Sequence, residues 1–126
     1  MNGQIEYNTK DVKDALFSEA IIFGERINVI IDSGSRGSVV SKQFLDRKQQ
    51  EIDSPAQFKL IDIQGNRTYP LGIKHNVQVS IEGYDVGIDM VVTESKDYNV
   101  ILGNDWISKV RATLDYDNGL LIIPTP

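Results

Sequence analysis

The sequence predicts an all-β domain, a small closed barrel carrying one or two short helices. Short β-branched runs recur along the chain, turn signals separate them at close spacing, and little of the chain suits a helix. At 126 residues the chain has room for one domain and one core.

Residues 1–19 are mostly polar, with scattered apolar positions at Val12, Leu16 and Phe17. They read as an arm, a linker or one short helix ahead of a domain spanning residues 20–126. Ile21-Ile22-Phe23 and Ile27-Asn28-Val29-Ile30-Ile31 flank Gly24-Glu25-Arg26, the pattern of a hairpin. Residues 32–38 are dense in Gly and Ser and read as a loop. Ser41 is a candidate N-cap for a short helix reaching Asp46. A polar loop follows over residues 48–55. Two strands, 58–63 and 67–73, then bracket Gly65-Asn66. Val77, Val79 and Ile81 alternate with polar residues, as in a half-buried strand, and a Glu82-Gly83 turn returns the chain through residues 86–92. Asn99-Val100-Ile101-Leu102 suits a strand buried on both faces, and residues 105–110 a short helix. Residues 113–116 and 120–123 flank Asp117-Asn118-Gly119, a hairpin turn. Trp106, Tyr98 and Tyr116 are expected in the core.

Composition narrows the function. Thirteen Lys and Arg against 18 Asp and Glu leave a net charge of −5, which disfavours a nucleic-acid partner. The absence of cysteine removes disulfides, thiolate metal sites and cysteine nucleophiles together; no cofactor or metal is expected. The single histidine, His75, has no acid or serine motif around it in sequence and reads as a surface residue. No run approaches the ~20 apolar residues of a membrane span, and the N-terminus lacks the basic and apolar regions of a signal peptide. A cytoplasmic location is the expectation.

Chemistry concentrates at Val29-Ile30-Ile31-Asp32-Ser33-Gly34-Ser35, where an apolar strand delivers a carboxylate into a Gly/Ser turn. At the edge of a low-dielectric core an isolated charge is expensive. Locally, Asp32 is either a chemical group or a turn cap accepting backbone N–H bonds. A phosphate-binding loop fails, because Gly37-Ser38 leads into Val39-Val40 with no Lys. A phosphorylated recruitment motif fails because the preceding strand implies burial.

A second motif, Val100-Ile101-Leu102-Gly103-Asn104-Asp105-Trp106-Ile107, is on its own an ordinary strand-to-helix junction. Together, the two resemble the retropepsin family, in particular the gypsy-type proteases of long-terminal-repeat retrotransposons. In that family an apolar-apolar-Asp-Ser/Thr-Gly motif precedes an apolar-apolar-Gly motif, which continues as Asp-Trp-Leu and an Ile-Asp-Tyr strand. This chain has Ile30-Ile31-Asp32-Ser33-Gly34, Ile101-Leu102-Gly103-Asn104-Asp105-Trp106-Ile107 and Leu114-Asp115-Tyr116 in the same order. The resemblance spans residues 20–123 and implies the acid-protease (retropepsin) fold. It differs in Ser35 where the family has Ala, Asn104 where retroviral relatives have Arg, and Arg36 where they have an acid. An Arg36–Asp105 ion pair is the expected replacement.

The resemblance implies an aspartic endopeptidase that processes polyproteins. Asp32-Ser33-Gly34 is the chain's only such triplet, so the catalytic pair requires a homodimer, with Ser33 bonding across its axis and Gly34 permitting the turn. It also implies that an extended peptide lies between Ser35, Arg36 and Ile101 on the cleft side and a flap tip at Ile63, Gln64 and Gly65. Residues 114–123 are expected at or near the subunit interface. The alternative is a catalytically silent dimer of the same fold that binds peptides or scaffolds an assembly.

Overall fold

The computed structural model describes residues 15–55, 60–61, 67–68 and 70–124, the two short pairs along their backbone only. β1 (Ala15–Ile22) turns at Phe23-Gly24 into β2 (Glu25–Asp32). Both turn residues have positive φ, the twist that a two-residue hairpin needs. The pair runs antiparallel from Ala15 opposite Asp32 to Ile22 opposite Glu25. β3 (Ser38–Ser41) leads into α1 (Lys42–Arg47), where the Ser41 hydroxyl accepts the Phe44 N–H at 3.1 Å as an N-cap. β4 (Leu60–Ile61) and β5 (Arg67–Thr68) form a two-stranded sheet among the described residues. β6 (Gly72–Ile81) and β7 (Tyr84–Thr93) form the longest hairpin. β8 (Val100–Leu102) runs into α2 (Asn104–Val110), and β9 (Thr113–Asp115) with β10 (Leu120–Ile122) makes a separate two-stranded sheet.

Six of these strands close into a barrel in the order β1-β2-β8-β3-β7-β6, with β1 meeting β6 where Ile21 faces Ser80. Closure removes the unpaired edges that a sheet of this size would otherwise expose. Period-two alternation fills the interior: Ile27, Val29 and Ile31 of β2, Val77, Val79 and Ile81 of β6, and Ile88, Met90 and Val92 of β7 all point into one core. Trp106 of α2 is wholly buried, and its indole N–H finds no acceptor among the described residues.

The expected all-β barrel is present, and the local differences have physical reasons. β1 begins at Ala15, inside the stretch read as polar arm. Its outward residues include Phe17, 77% exposed, so burial had not sorted its sequence into an alternating pattern. β3 went unread because four residues, all buried, carry no periodicity. β6 runs unbroken from Gly72, joining residues assigned to two strands. A bulge between Lys74 and Val77, with Asn76 at φ 51°, lets the strand continue through a polar interruption. Tyr116 is not a core residue; it is 37% exposed. The expected flap tip, Ile63, Gln64 and Gly65, lies outside the described residues.

Leu102 is completely buried in β8, between β2 and β3. Leu102→Ala is expected to cost about 2–5 kcal/mol of stability through lost transfer energy and a residual cavity. A urea midpoint that falls with unchanged slope would register it.

Candidate active site

Strand alternation decides where Asp32 goes. Val29 and Ile31 face the core with no exposed surface, so Asp32, the last residue of β2, emerges half-buried at the mouth of the barrel. The chain turns sharply there. The Gly34 N–H donates to Asp32 Oδ1 at 2.8 Å, and the Ser35 N–H to the Asp32 carbonyl at 3.1 Å. The carboxylate therefore caps its own turn with one oxygen. The other makes no hydrogen bond among the described residues.

The second motif arrives beside the first because β8 pairs parallel with β2, Ile30 opposite Ile101 and Ile31 opposite Leu102. Asp32 and Gly103 thus leave the barrel at the same level. The Asn104 N–H donates to the Ser35 carbonyl at 2.8 Å, the Asp105 N–H to the Arg36 carbonyl at 3.2 Å, and Asn104 Nδ2 to the Ser33 carbonyl at 2.8 Å. This approach requires glycine: a Cβ on Gly103 would sit 2.6 Å from the carbonyl oxygens of Ser35 and Gly37.

Below the loop lies a polar knot. Asp105 Oδ1 accepts the Ser38 hydroxyl at 2.7 Å and the Trp106 N–H at 2.8 Å, while Oδ2 accepts the Ser38 N–H at 3.0 Å. Ser38 is buried, and its oxygen in turn accepts the Gly103 N–H at 3.1 Å. The expected Arg36–Asp105 pair is absent among the described residues. Arg36 is exposed, and both Asp105 oxygens are already occupied by uncharged donors. Asn104 grips the loop instead, through its side-chain amide on the Ser33 carbonyl.

The remaining candidates divide. Ile101 is half-buried on the barrel's outer face, in register with Ile30. A cavity of about 340 Å³, lined by Phe17, Asn28, Ile30 and Tyr98 among others, opens beside that strand. The Ser35 hydroxyl is spent on the Gly37 carbonyl at 2.7 Å. Ser33 meets a residue that sequence reasoning had placed in the core, its Oγ lying 2.6 Å from the Tyr116 hydroxyl. No signal in the sequence linked positions 83 apart.

A family model described as retroviral aspartyl protease matches residues 4–124. The chain belongs to the retroviral aspartyl protease family. Solved structures agree on the retropepsin fold. The retroviral protease-like domain of Ddi1 from Leishmania major matches with TM-score 0.70 and 19% identity, covering 92% of each chain. The EIAV protease complexed with the inhibitor HBY-793 gives 0.61 at 20% identity, over 86% of this chain and 99% of its own. A retropepsin-like aspartic protease from Rickettsia conorii gives 0.63 at 15% identity, over 86% and 81%. No curated protein matches. Among the described residues, no helix of this retropepsin is long and apolar enough to cross a membrane.

His75 is exposed as expected, but the fold surrounds it with groups distant in sequence. Its Nε2 lies 3.1 Å from Ser54 Oγ and its Nδ1 3.3 Å from Asp89 Oδ2, while its backbone N–H donates to Asp53 Oδ2 at 2.8 Å. The order Ser-His-Asp resembles a hydrolytic triad but has no free adjacent oxyanion donor among the described residues. The Ser54 N–H is committed to the Ile73 carbonyl, and Pro55 has none. The cluster instead fastens residues 51–54 to β6 and β7.

Two outcomes follow from these contacts. Gly103→Ala is expected to destabilise the protein by about 1–3 kcal/mol, because backbone carbonyls cannot swing aside as a side chain can. Its NMR shifts should change most at Ser35 and Gly37. The second concerns acid. The His75 N–H holds the Asp53 carboxyl below its ordinary value, aided by Lys74, and the Asn76 N–H, aided by His75, does the same for Asp89. Depressed folded-state values contribute stability above the unfolded value near 3.8, lost as pH falls through the folded ones. Asp53→Asn should thus be less stable than wild type at pH ~6, with the gap closing by pH ~2 in a urea titration.

Proposed function

We propose that this retropepsin is an aspartic endopeptidase that works as a homodimer, with one Asp32 from each subunit meeting at the two-fold axis. The placement of Asp32 carries the reading. It ends a strand whose inward residues are wholly buried, and its turn is locked from below by Asn104. The chain holds one Asp-Ser-Gly triplet, so a pair of carboxylates needs a second copy. Leu120 and Ile122, about half exposed on a hairpin outside the barrel, support a subunit contact there.

Two carboxylates a few ångströms apart cannot both ionise readily and share one proton, as aspartic proteases do generally. The ionised member takes a proton from a bound water, whose oxygen attacks the peptide carbonyl carbon. The protonated member gives its proton to the carbonyl oxygen, and the tetrahedral species collapses once the leaving nitrogen is protonated. Fixing Oδ1 through the Gly34 N–H sets the carboxylate plane in advance. Gly34 keeps its role in shaping the turn.

The substrate is an extended peptide held as an added strand. Ile101, Ser35 and Arg36 are the barrel-side candidates, and the family resemblance names Ile63, Gln64 and Gly65, outside the described residues, as the candidates opposite them. Family membership supports a polyprotein as the natural substrate, and the Leu114-Asp115-Tyr116 continuation supports a retrotransposon origin. A second reading, a silent peptide-binding or scaffolding dimer, draws on the likeness to a domain described only as protease-like.

Incubation with a mixed peptide library separates the two. Wild type should cleave, and Asp32→Asn, which keeps the side-chain shape but cannot take a proton from water, should lose at least about 10²-fold in rate. Sedimentation should give twice the chain mass for both proteins. Equal cleavage by a folded Asp32→Asn protein would remove Asp32 from the chemistry, and a strict monomer that still cleaves would overturn the shared carboxylate pair. A dimer that binds peptides without cutting them would favour the second reading.

A further inference from the structure

The loop after Asp32 is held in two different ways. Its backbone is gripped by α2, through Asn104 Nδ2 on the Ser33 carbonyl and the Asn104 N–H on the Ser35 carbonyl. Neither contact fixes a side chain next to Asp32. The 2.6 Å contact between the Tyr116 and Ser33 hydroxyls does. Tyr116 stands just past β9, in a turn secured at several points. The Gly119 N–H donates to its carbonyl at 3.3 Å, and Asn118 donates through its backbone and side-chain amides to the Asp115 carboxylate at 3.2 and 2.8 Å. The Asn118 donors also hold the Asp115 carboxyl below its ordinary value, keeping it an acceptor. Burial does not explain the ring, which is 37% exposed. Its hydroxyl is the part that reaches the loop.

We propose that Tyr116 is a positioning residue for the Asp32 loop, its hydroxyl fixing the Ser33 side chain and linking the β9–β10 hairpin to that loop. This rests on the homodimeric protease reading. A phenol is a stronger hydrogen-bond donor than an aliphatic hydroxyl. With Tyr116 as the donor to Ser33 Oγ, Ser33 keeps its own hydrogen to donate across the two-fold axis. The two bonds form a relay from hairpin to loop to partner, and each polarises the next. The hairpin that exposes Leu120 and Ile122 thus also carries the group that presets Ser33.

A double-mutant cycle on the full chain tests this, using Tyr116→Phe and Ser33→Ala. Tyr116→Phe is expected to lower kcat about fivefold with KM within about twofold, measured where the protein is fully dimeric, and to weaken dimerisation about fivefold by ultracentrifugation. In the Ser33→Ala background the same change should cost nothing further, whereas in Ser33→Thr, which keeps a hydroxyl, the full loss should return. Losses of equal size with and without the Ser33 hydroxyl would overturn the proposal, as would kcat and dimer affinity within twofold of wild type. Should Ser33→Ala not fold, amide exchange in Tyr116→Phe alone decides. Faster exchange at Gly34 with Val79 unchanged supports the link, and unchanged Gly34 overturns it. If wild type and Asp32→Asn cleave alike, the protease reading fails, and Gly34 exchange with the dissociation constant still decides the role of Tyr116.

Discussion

Parallel pairing of β2 with β8 is the constraint on which the mouth of the barrel depends. Two strands whose paired residues lie 71 apart in sequence are brought side by side, with Ile31 opposite Leu102. The residues that follow each, Asp32 and Gly103, must then turn away at one level. A glycine at the second position lets the backbones approach until α2's first N–H groups reach the loop carbonyls. Any side chain there would hold the helix off, and the loop would lose its floor. One missing Cβ therefore links barrel register to the orientation of a carboxylate.

The support beneath that loop is polar, yet it is largely buried. Ser38 and Asp105 satisfy one another, and Ser38 passes its remaining acceptor capacity to the Gly103 N–H. Such a network is rigid because every member would be stranded if another left, and an unpaired buried donor or acceptor costs about 1–3 kcal/mol. An ion pair at the same place would bring a larger desolvation cost with no certain net gain. Neutral donors around Asp105 hold the geometry without asking Arg36 to leave water.

Much of this was legible in the sequence. Alternation in β2, β6 and the Asp117-Asn118-Gly119 turn are local signals, and local rules read them. The Asp32 and Gly103 motifs carry chemistry in their residue types. What escaped was long-range or non-periodic. β3 is too short to show a period, the Lys74–Val77 bulge hides one strand's continuity, and β1 carries the apolar Phe17 on its outward face, which blurs its alternation. The partners of Tyr116, His75 and Asp105 are chosen by topology, which no window of residues contains. Tyr116 in particular was assigned by its aromatic character, whereas the structure finds it part-exposed with its hydroxyl against Ser33.

The chain contains one tryptophan, and the fold puts it directly against the polar knot. Trp106 is sealed from water, and its backbone N–H is bound by the carboxylate that also holds Ser38. Its indole N–H has no acceptor among the described residues, so the ring's surroundings are set by packing alone. Indole emission responds to the polarity and mobility of what surrounds it. The protein therefore carries a single, unlabelled optical reporter whose colour follows the integrity of the loop support, without interference from a second fluorophore of its kind.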